Sequence, residues 1–137
     1  MGRIFGVSLL GLALLIAVPA AWAGSPHFIG DISVNRSGYT VTVSGKEAGL
    51  GNETQVHIVL TFSAQCINGG DKNPSAENKE SFTVEGTFPV QNGKADFTLS
   101  ATATFKPKCS PPMTLQFSDI TVCDADHHIC QTFPGNF

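Results

Sequence analysis

An all-β fold is predicted for this chain: an immunoglobulin-like two-sheet sandwich of about seven antiparallel strands with two disulfides. Three observations predict it. Several segments alternate between apolar and polar residues, which is the period of a strand with one face on a core. Turn-forming residues separate these segments at short intervals, and no stretch has helical periodicity. Finally, the chain of 137 residues contains four cysteines, as small disulfide-bonded exported domains often do.

The first three strands follow from alternation between turns. Residues 31–35 are predicted to form a short strand that ends at an Arg-Ser-Gly turn, and residues 39–44, which alternate Tyr/Val/Val with Thr/Thr/Ser, are predicted to form the second. A glycine-rich turn at 48–52 leads into residues 56–66, where Val, Ile, Leu, Phe and Ala share one parity. This third strand is predicted to be central in its sheet. The polar residues 67–79 that follow predict a surface loop.

The next three strands contain a turn and a bulge. Residues 80–90 place Phe and Val on one parity, and the Asn-Gly pair that follows is the strongest short-range hairpin signal. The chain is expected to return along residues 95–105, with Ala, Phe and Leu inward. In residues 115–122 the apolar parity changes midway, which predicts a β-bulge near residues 118–119.

Four cysteines in an exported domain predict two disulfides, for which three pairings are possible. Cys123 and Cys130 flank a six-residue loop between two short strands, the second of which is residues 129–133, so they can face each other across a hairpin. That pairing leaves Cys66 with Cys109. A Cys/His metal centre is the alternative, and it is disfavoured because the chain has no C-x-x-C spacing and its predicted compartment oxidises thiols.

Residues 1–23 predict a signal peptide that is removed. Arg3 precedes an apolar run over residues 4–18, and residues 21–23 read Ala-Trp-Ala, which fits a signal peptidase site. The run is short for a membrane span, which needs about 20 residues, so a retained signal anchor is the weaker alternative. Residues 24–137 are therefore expected to form a single β-sandwich domain, secreted or periplasmic, with no membrane span after cleavage.

Composition and motifs argue against several classes of function. The net charge is −3 and basic residues do not cluster, so nucleic acid is a poor candidate partner. The chain contains no G-x-S-x-G elbow, P-loop or H-E-x-x-H motif, and His57 lies on the outward parity of its strand. We therefore expect no enzyme activity and no cofactor. Asp71, Glu77 and Glu80 lack the ligand spacing of a calcium loop, and a solvated loop is the preferred interpretation.

One short segment concentrates metal-ligand types. Asp124, Asp126, His127 and His128 stand within five residues, and carboxylates with imidazoles can bind zinc or copper. The preferred interpretation is a polar hairpin tip, because adjacent residues seldom aim all their side chains at one point and a closed site normally needs about four ligands. A metal site at this tip is the alternative.

A pattern of turn glycines, cysteines and threonine-rich strands extends over residues 45–133. Its parts are Gly49-Leu50-Gly51-Asn52, the strand to Cys66, Asn68-Gly69-Gly70, Asn92-Gly93, the strand 95–105, and Cys109 with Pro111 and Pro112. In these parts the chain resembles a family of small secreted bacterial β-sandwich proteins. The resemblance implies an exported sandwich in which Cys66 and Cys109 are the family's pair, and it implies no activity.

Two functional hypotheses follow. The first is a non-catalytic secreted or periplasmic module, structural or interacting with a protein or surface partner that the sequence does not identify. The second is a periplasmic protein that binds zinc or copper weakly through the 124–128 hairpin tip.

Overall fold

The computed structural model describes residues 25–67 and 79–137, which form seven strands and no helix. The strands are β1 (His27–Ser37), β2 (Thr40–Ala48), β3 (Gln55–Ile67), β4 (Lys79–Pro89), β5 (Ala95–Thr102), β6 (Thr114–Asp124) and β7 (Ile129–Phe133). The predicted signal peptide and most of the predicted loop at 67–79 lie outside the described residues. Within them, nothing has the helical length and apolarity needed to cross a membrane.

The strands form two antiparallel sheets. One has the order β1-β2-β5 and the other β4-β3-β6-β7. The predicted all-β sandwich is therefore confirmed. In the constant-type immunoglobulin arrangement the fourth strand joins the sheet of the first, second and fifth strands, whereas here β4 pairs with β3. The immunoglobulin-like type stays a prediction.

Strand β3 is central, as its alternation predicts, with β4 on one side and β6 on the other. Its inward side chains, each 2 % exposed or less, are Val56, Ile58, Leu60, Phe62 and Ala64. Phe62 packs against Phe82 and Phe117, with ring centroids 5.5 and 5.4 Å apart. The core thus lies between the sheets, where the inward parities of the strands meet.

The first two strands are longer than predicted. β1 starts at His27 rather than residue 31, with a register irregularity between Ile29 and Ser33. β2 continues from residue 44 to Ala48. The prediction ended β2 too early because Gly, Lys and Glu are poor strand formers, but pairing with β1 and β5 keeps these residues extended.

The Asn-Gly turn connects the two sheets instead of two paired strands. Asn92 and Gly93 both have positive φ, 54° and 73°, as a two-residue type I′ turn requires. Beyond one isolated bridge, however, β4 and β5 belong to different sheets, so the predicted hairpin pairing is wrong. Pro89 has no N–H to offer a new partner, and the Val90 N–H bonds the Thr54 carbonyl at 3.0 Å, which keeps this end of β4 beside β3. β5 also ends at Thr102 rather than at residue 105.

The predicted bulge in β6 is confirmed. Thr61 pairs with Thr121 while Ser63 pairs with Ser118, so β6 carries one extra residue between these pairs. Asp119, inside the bulge, has φ 55°. Because of the bulge, the inward-facing residues of β6 are odd-numbered before it and even-numbered after it. The even-numbered pattern continues to the end of the strand.

Both predicted disulfides are formed. Cys66 bonds Cys109 near one end of the sandwich, and Cys123 bonds Cys130 between the paired strands β6 and β7 at the other. Two disulfides indicate an oxidising environment, as outside the cytoplasm.

Candidate metal centre

Two acidic residues from opposite sheets meet at the end of the sandwich that contains the Cys123–Cys130 bond. Glu47 follows Val41, Val43 and Gly45 on the inward parity of β2, and Asp124 takes the last inward position of β6. Both side chains are 0 % exposed. Charged residues are almost never fully buried unless they are paired, so this position in the core requires an explanation.

Asp124 organises the hairpin that follows it. Its Oδ1 accepts the N–H groups of Asp126 at 2.8 Å and His127 at 3.1 Å, an arrangement typical of an aspartate that starts a turn. Its Oδ2 lies 2.6 Å from Nδ1 of His127. One carboxylate oxygen therefore holds the turn, while the other faces the imidazole.

His127 lies between two carboxylates. Its Nδ1 contacts Asp124, and its Nε2 lies 3.0 Å from Oε1 of Glu53, in the turn between β2 and β3. Burial alone would lower the pKa of His127. The hydrogen bond and charge of Asp124, together with the charge of Glu53, outweigh burial and raise that pKa.

Glu47 differs from its neighbours because neither of its carboxyl oxygens has a hydrogen-bond partner among the described residues. Burial, followed by the proximity of Asp124 and the charges of Glu53 and Asp126, raises the pKa of Glu47 to about 9. Burial also opposes ionisation of Asp124, but the closeness of the neutral Glu47 and the hydrogen bonds and charge of His127 outweigh it and lower the pKa of Asp124. At neutral pH the site thus holds a neutral Glu47 beside an ionised Asp124.

These three side chains lie close enough together to hold a metal ion after a small movement. One ligand atom from each of Glu47, Asp124 and His127 lies within 4.8 Å of the other two. Around tetrahedral zinc, with bonds of about 2.0–2.2 Å, ligand atoms stand about 3.4 Å apart. Closing the cluster onto an ion therefore needs side-chain shifts of roughly 1 Å.

The structure brings together two of the four residues predicted as ligands. Asp124 and His127 belong to the cluster. Asp126 instead accepts the backbone N–H of His57 through its Oδ2 at 3.0 Å and is exposed. His128 is exposed at the hairpin turn, with φ 57°, and is not among the clustered groups.

Sequence reasoning missed Glu47 and Glu53. Alternation along 41–47 and 120–124 carried the signal for the first, because Glu47 and Asp124 each continue an apolar inward parity beyond the point where the predicted strand stops. Glu53 had no such signal, since its role depends on contact with His127, 74 residues further along the chain, which local patterns do not encode.

The remaining sequence hypotheses concern other surfaces. Asp71 and Glu77, considered for calcium, lie outside the described residues, and Glu80 is exposed on β4. His57 is half-exposed on β3 and contacts Glu85, with its Nε2 3.1 Å from Oε2.

No protein-family profile, curated protein or solved structure matches this chain. The resemblance to small secreted bacterial proteins accordingly stays a prediction, and the geometry of the cluster carries the functional argument.

Proposed function

We propose that this protein is a non-catalytic exported β-sandwich module that binds a transition-metal ion, zinc or copper, between its two sheets. One observation carries the proposal: the two oxygens of Glu47 are buried without hydrogen-bond partners and lie beside Asp124 and His127. Leaving a buried polar group unsatisfied costs about 1–3 kcal/mol. A bound cation would satisfy it.

The ligand types favour a transition metal over calcium or magnesium. An imidazole with carboxylates suits zinc and copper, whereas calcium takes six to eight oxygen ligands. The cluster offers one nitrogen and the oxygens of two carboxyl groups. Three protein ligands leave a fourth position for water or an external ligand.

The non-catalytic part of the proposal is supported by the chain's lack of any recognised catalytic motif and by its cysteines, all four of which are in disulfides. Export is supported by the same disulfides and by the predicted signal peptide.

Recognition of a protein or surface partner by the hairpin tip is the second candidate function. The Cys123–Cys130 bond and the turn at Asp124 order a tip on which Asp126 and His128 are exposed. Ordered, exposed polar groups cost little entropy when they bind a partner.

Isothermal titration of zinc and of copper into the oxidised, metal-stripped protein tests the proposal. We expect one equivalent to bind the wild type, and we expect Glu47→Gln and His127→Ala to lose at least ten-fold in affinity, because each removes a ligand. His128→Ala is the matched control, an exposed histidine beside the cluster, and should bind like wild type. Saturating zinc should also raise the melting temperature of the wild type but not that of Glu47→Gln.

Equal binding by wild type and Glu47→Gln would contradict the proposed site. Loss of binding in His128→Ala with retention in Glu47→Gln would place the metal at the exposed tip. No binding by the wild type would reject metal binding and favour the second candidate function.

A further inference from the structure

We infer that Glu53 is a positioning residue for the metal ligand His127, and that the turn formed by residues 49–52 serves to hold Glu53 there. This inference rests on the proposed metal site, and it gives the glycine-containing turn at residues 49–52 a role in that site.

The two ring nitrogens of His127 have different partners. Nδ1 faces Oδ2 of Asp124 at 2.6 Å and is the nitrogen on the side of the cluster. Nε2 faces Oε1 of Glu53 at 3.0 Å. If Nδ1 binds the ion, Nε2 carries the ring proton and donates it to Glu53. A carboxylate in this place fixes the tautomer and ring orientation of a ligating histidine and increases its basicity.

The turn that carries Glu53 is anchored at several points. Leu50 is 2 % exposed, so its side chain is inserted in the core. The Leu50 N–H donates to the Gly93 carbonyl at 2.9 Å, and the Glu53 N–H donates to the Leu50 carbonyl at 3.1 Å. Gly49 and Gly51 supply the positive φ values, 77° and 56°, that this path requires. Glu53 thus presents its carboxylate from an ordered backbone.

Tight packing over the turn also restrains it. A Cβ atom at Gly49 would collide with the backbone carbonyl of Ser25, at the start of the described chain. The segment that leads into β1 therefore covers the turn, and the backbone of Glu53 cannot move away from His127 without disturbing Leu50 or this contact.

An ordinary surface ion pair is the alternative explanation for the Glu53–His127 contact, because the Glu53 side chain is 41 % exposed. The chain provides a matched example of such a pair. His57 and Glu85 face each other at 3.1 Å between neighbouring strands, with side chains 34 % and 63 % exposed, and His57 is not part of the cluster.

Zinc titration of paired variants separates the two explanations. We expect Glu53→Ala to lower zinc affinity about 10–100-fold, the usual effect of removing a carboxylate that supports a ligating histidine. Glu53→Gln should lose less, because its amide oxygen still accepts the Nε2–H but without charge. Glu85→Ala and Glu85→Gln should bind zinc like wild type.

A spectroscopic measurement excludes a merely structural effect. With saturating copper, the electron paramagnetic resonance spectrum of Glu53→Ala should differ from wild type, because the ring of the ligand His127 is no longer oriented. The Glu85 variants should keep the wild-type spectrum, and the metal-free melting temperatures of the Glu53 and Glu85 variants should be alike.

The outcomes distinguish this inference from the proposed function. If Glu47→Gln loses binding while Glu53→Ala binds zinc as wild type does, with an unchanged copper spectrum, the metal site stands and the role of Glu53 is overturned. If Glu47→Gln binds as well as wild type, or the wild type binds no metal, the proposed function fails and this inference fails with it.

Discussion

Glu47 is the one acidic side chain on the inward parity of β2, where Val41 and Val43 fill the core and Gly45 makes room for Phe97. An apolar side chain of similar length could occupy the same place without an unsatisfied polar group. Proteins keep buried polar residues that lower stability where function requires them. The conformational stability of the metal-free protein therefore reports on this residue directly.

Replacing Glu47 by Met should stabilise the metal-free protein by about 1–3 kcal/mol, because the change removes two unpartnered oxygens and keeps an unbranched chain. Asp124 retains the hydrogen bonds of its turn and of His127. Urea unfolding at pH 7 in the presence of a chelator measures the effect, and the exposed Glu85→Met is the control. A clear loss of stability would mean that the Glu47 proton makes a hydrogen bond that the structure lacks.

At the scale of elements, the two disulfides hold different kinds of structure. The Cys66–Cys109 bond joins residues 43 positions apart, at the end of β3 and in the segment before β6. The Cys123–Cys130 bond joins residues only 7 positions apart on paired strands. In the chain-entropy model the stabilisation grows with the logarithm of the loop that is closed, so the first bond should contribute more to stability.

Replacing both Cys66 and Cys109 by Ala should cost about 4 kcal/mol, and replacing both Cys123 and Cys130 about 2 kcal/mol. Urea and thermal unfolding of the two double mutants measure the difference. Far-ultraviolet circular dichroism in the cold should retain the β signal in both. Equal losses, or a larger loss for the hairpin pair, would contradict the chain-entropy account.

The elements that sequence predicts well are those with alternation strong enough to outweigh other signals. The third strand and the bulge in β6 were predicted because apolar parity is read directly from the residues. The pairing of β4 with β5 was predicted wrongly because an Asn-Gly turn specifies only its own backbone, and the sheets to which its flanking strands belong depend on long-range contacts. For the same reason the sequence located Asp124 and His127, which are three residues apart, but not Glu47 and Glu53, which reach the site through long-range contacts.

At the scale of the whole molecule, the candidate site joins the two layers of the sandwich. Glu47 belongs to the sheet β1-β2-β5 and Asp124 to the sheet β4-β3-β6-β7. A metal ion bound by both would connect the layers at the end where the Cys123–Cys130 hairpin lies. Metal binding is therefore expected to be sensitive to the integrity of the complete sandwich and not of one hairpin alone.

The proposed export of the protein predicts a defined covalent form. Intact-mass analysis of the protein recovered from outside the cytoplasm should give a mass without residues 1–23 and with four hydrogens fewer, one pair for each disulfide. Reduction and alkylation of the same sample is the control, since it should modify four cysteines. A full-length mass would contradict cleavage, and a mass with free thiols would contradict an oxidising compartment.

The order of strand pairing has a consequence for timing. The pairs β1-β2, β3-β4 and β6-β7 are neighbours along the chain, whereas β2-β5 and β3-β6 join distant segments. Pairings between distant segments are slow because loop closure must precede them. Glu47 and Asp124 can meet only after these late pairings have brought the two layers together. A metal ion would therefore bind at this site only after the two sheets have packed, and chains that have not yet folded would leave the ion in solution.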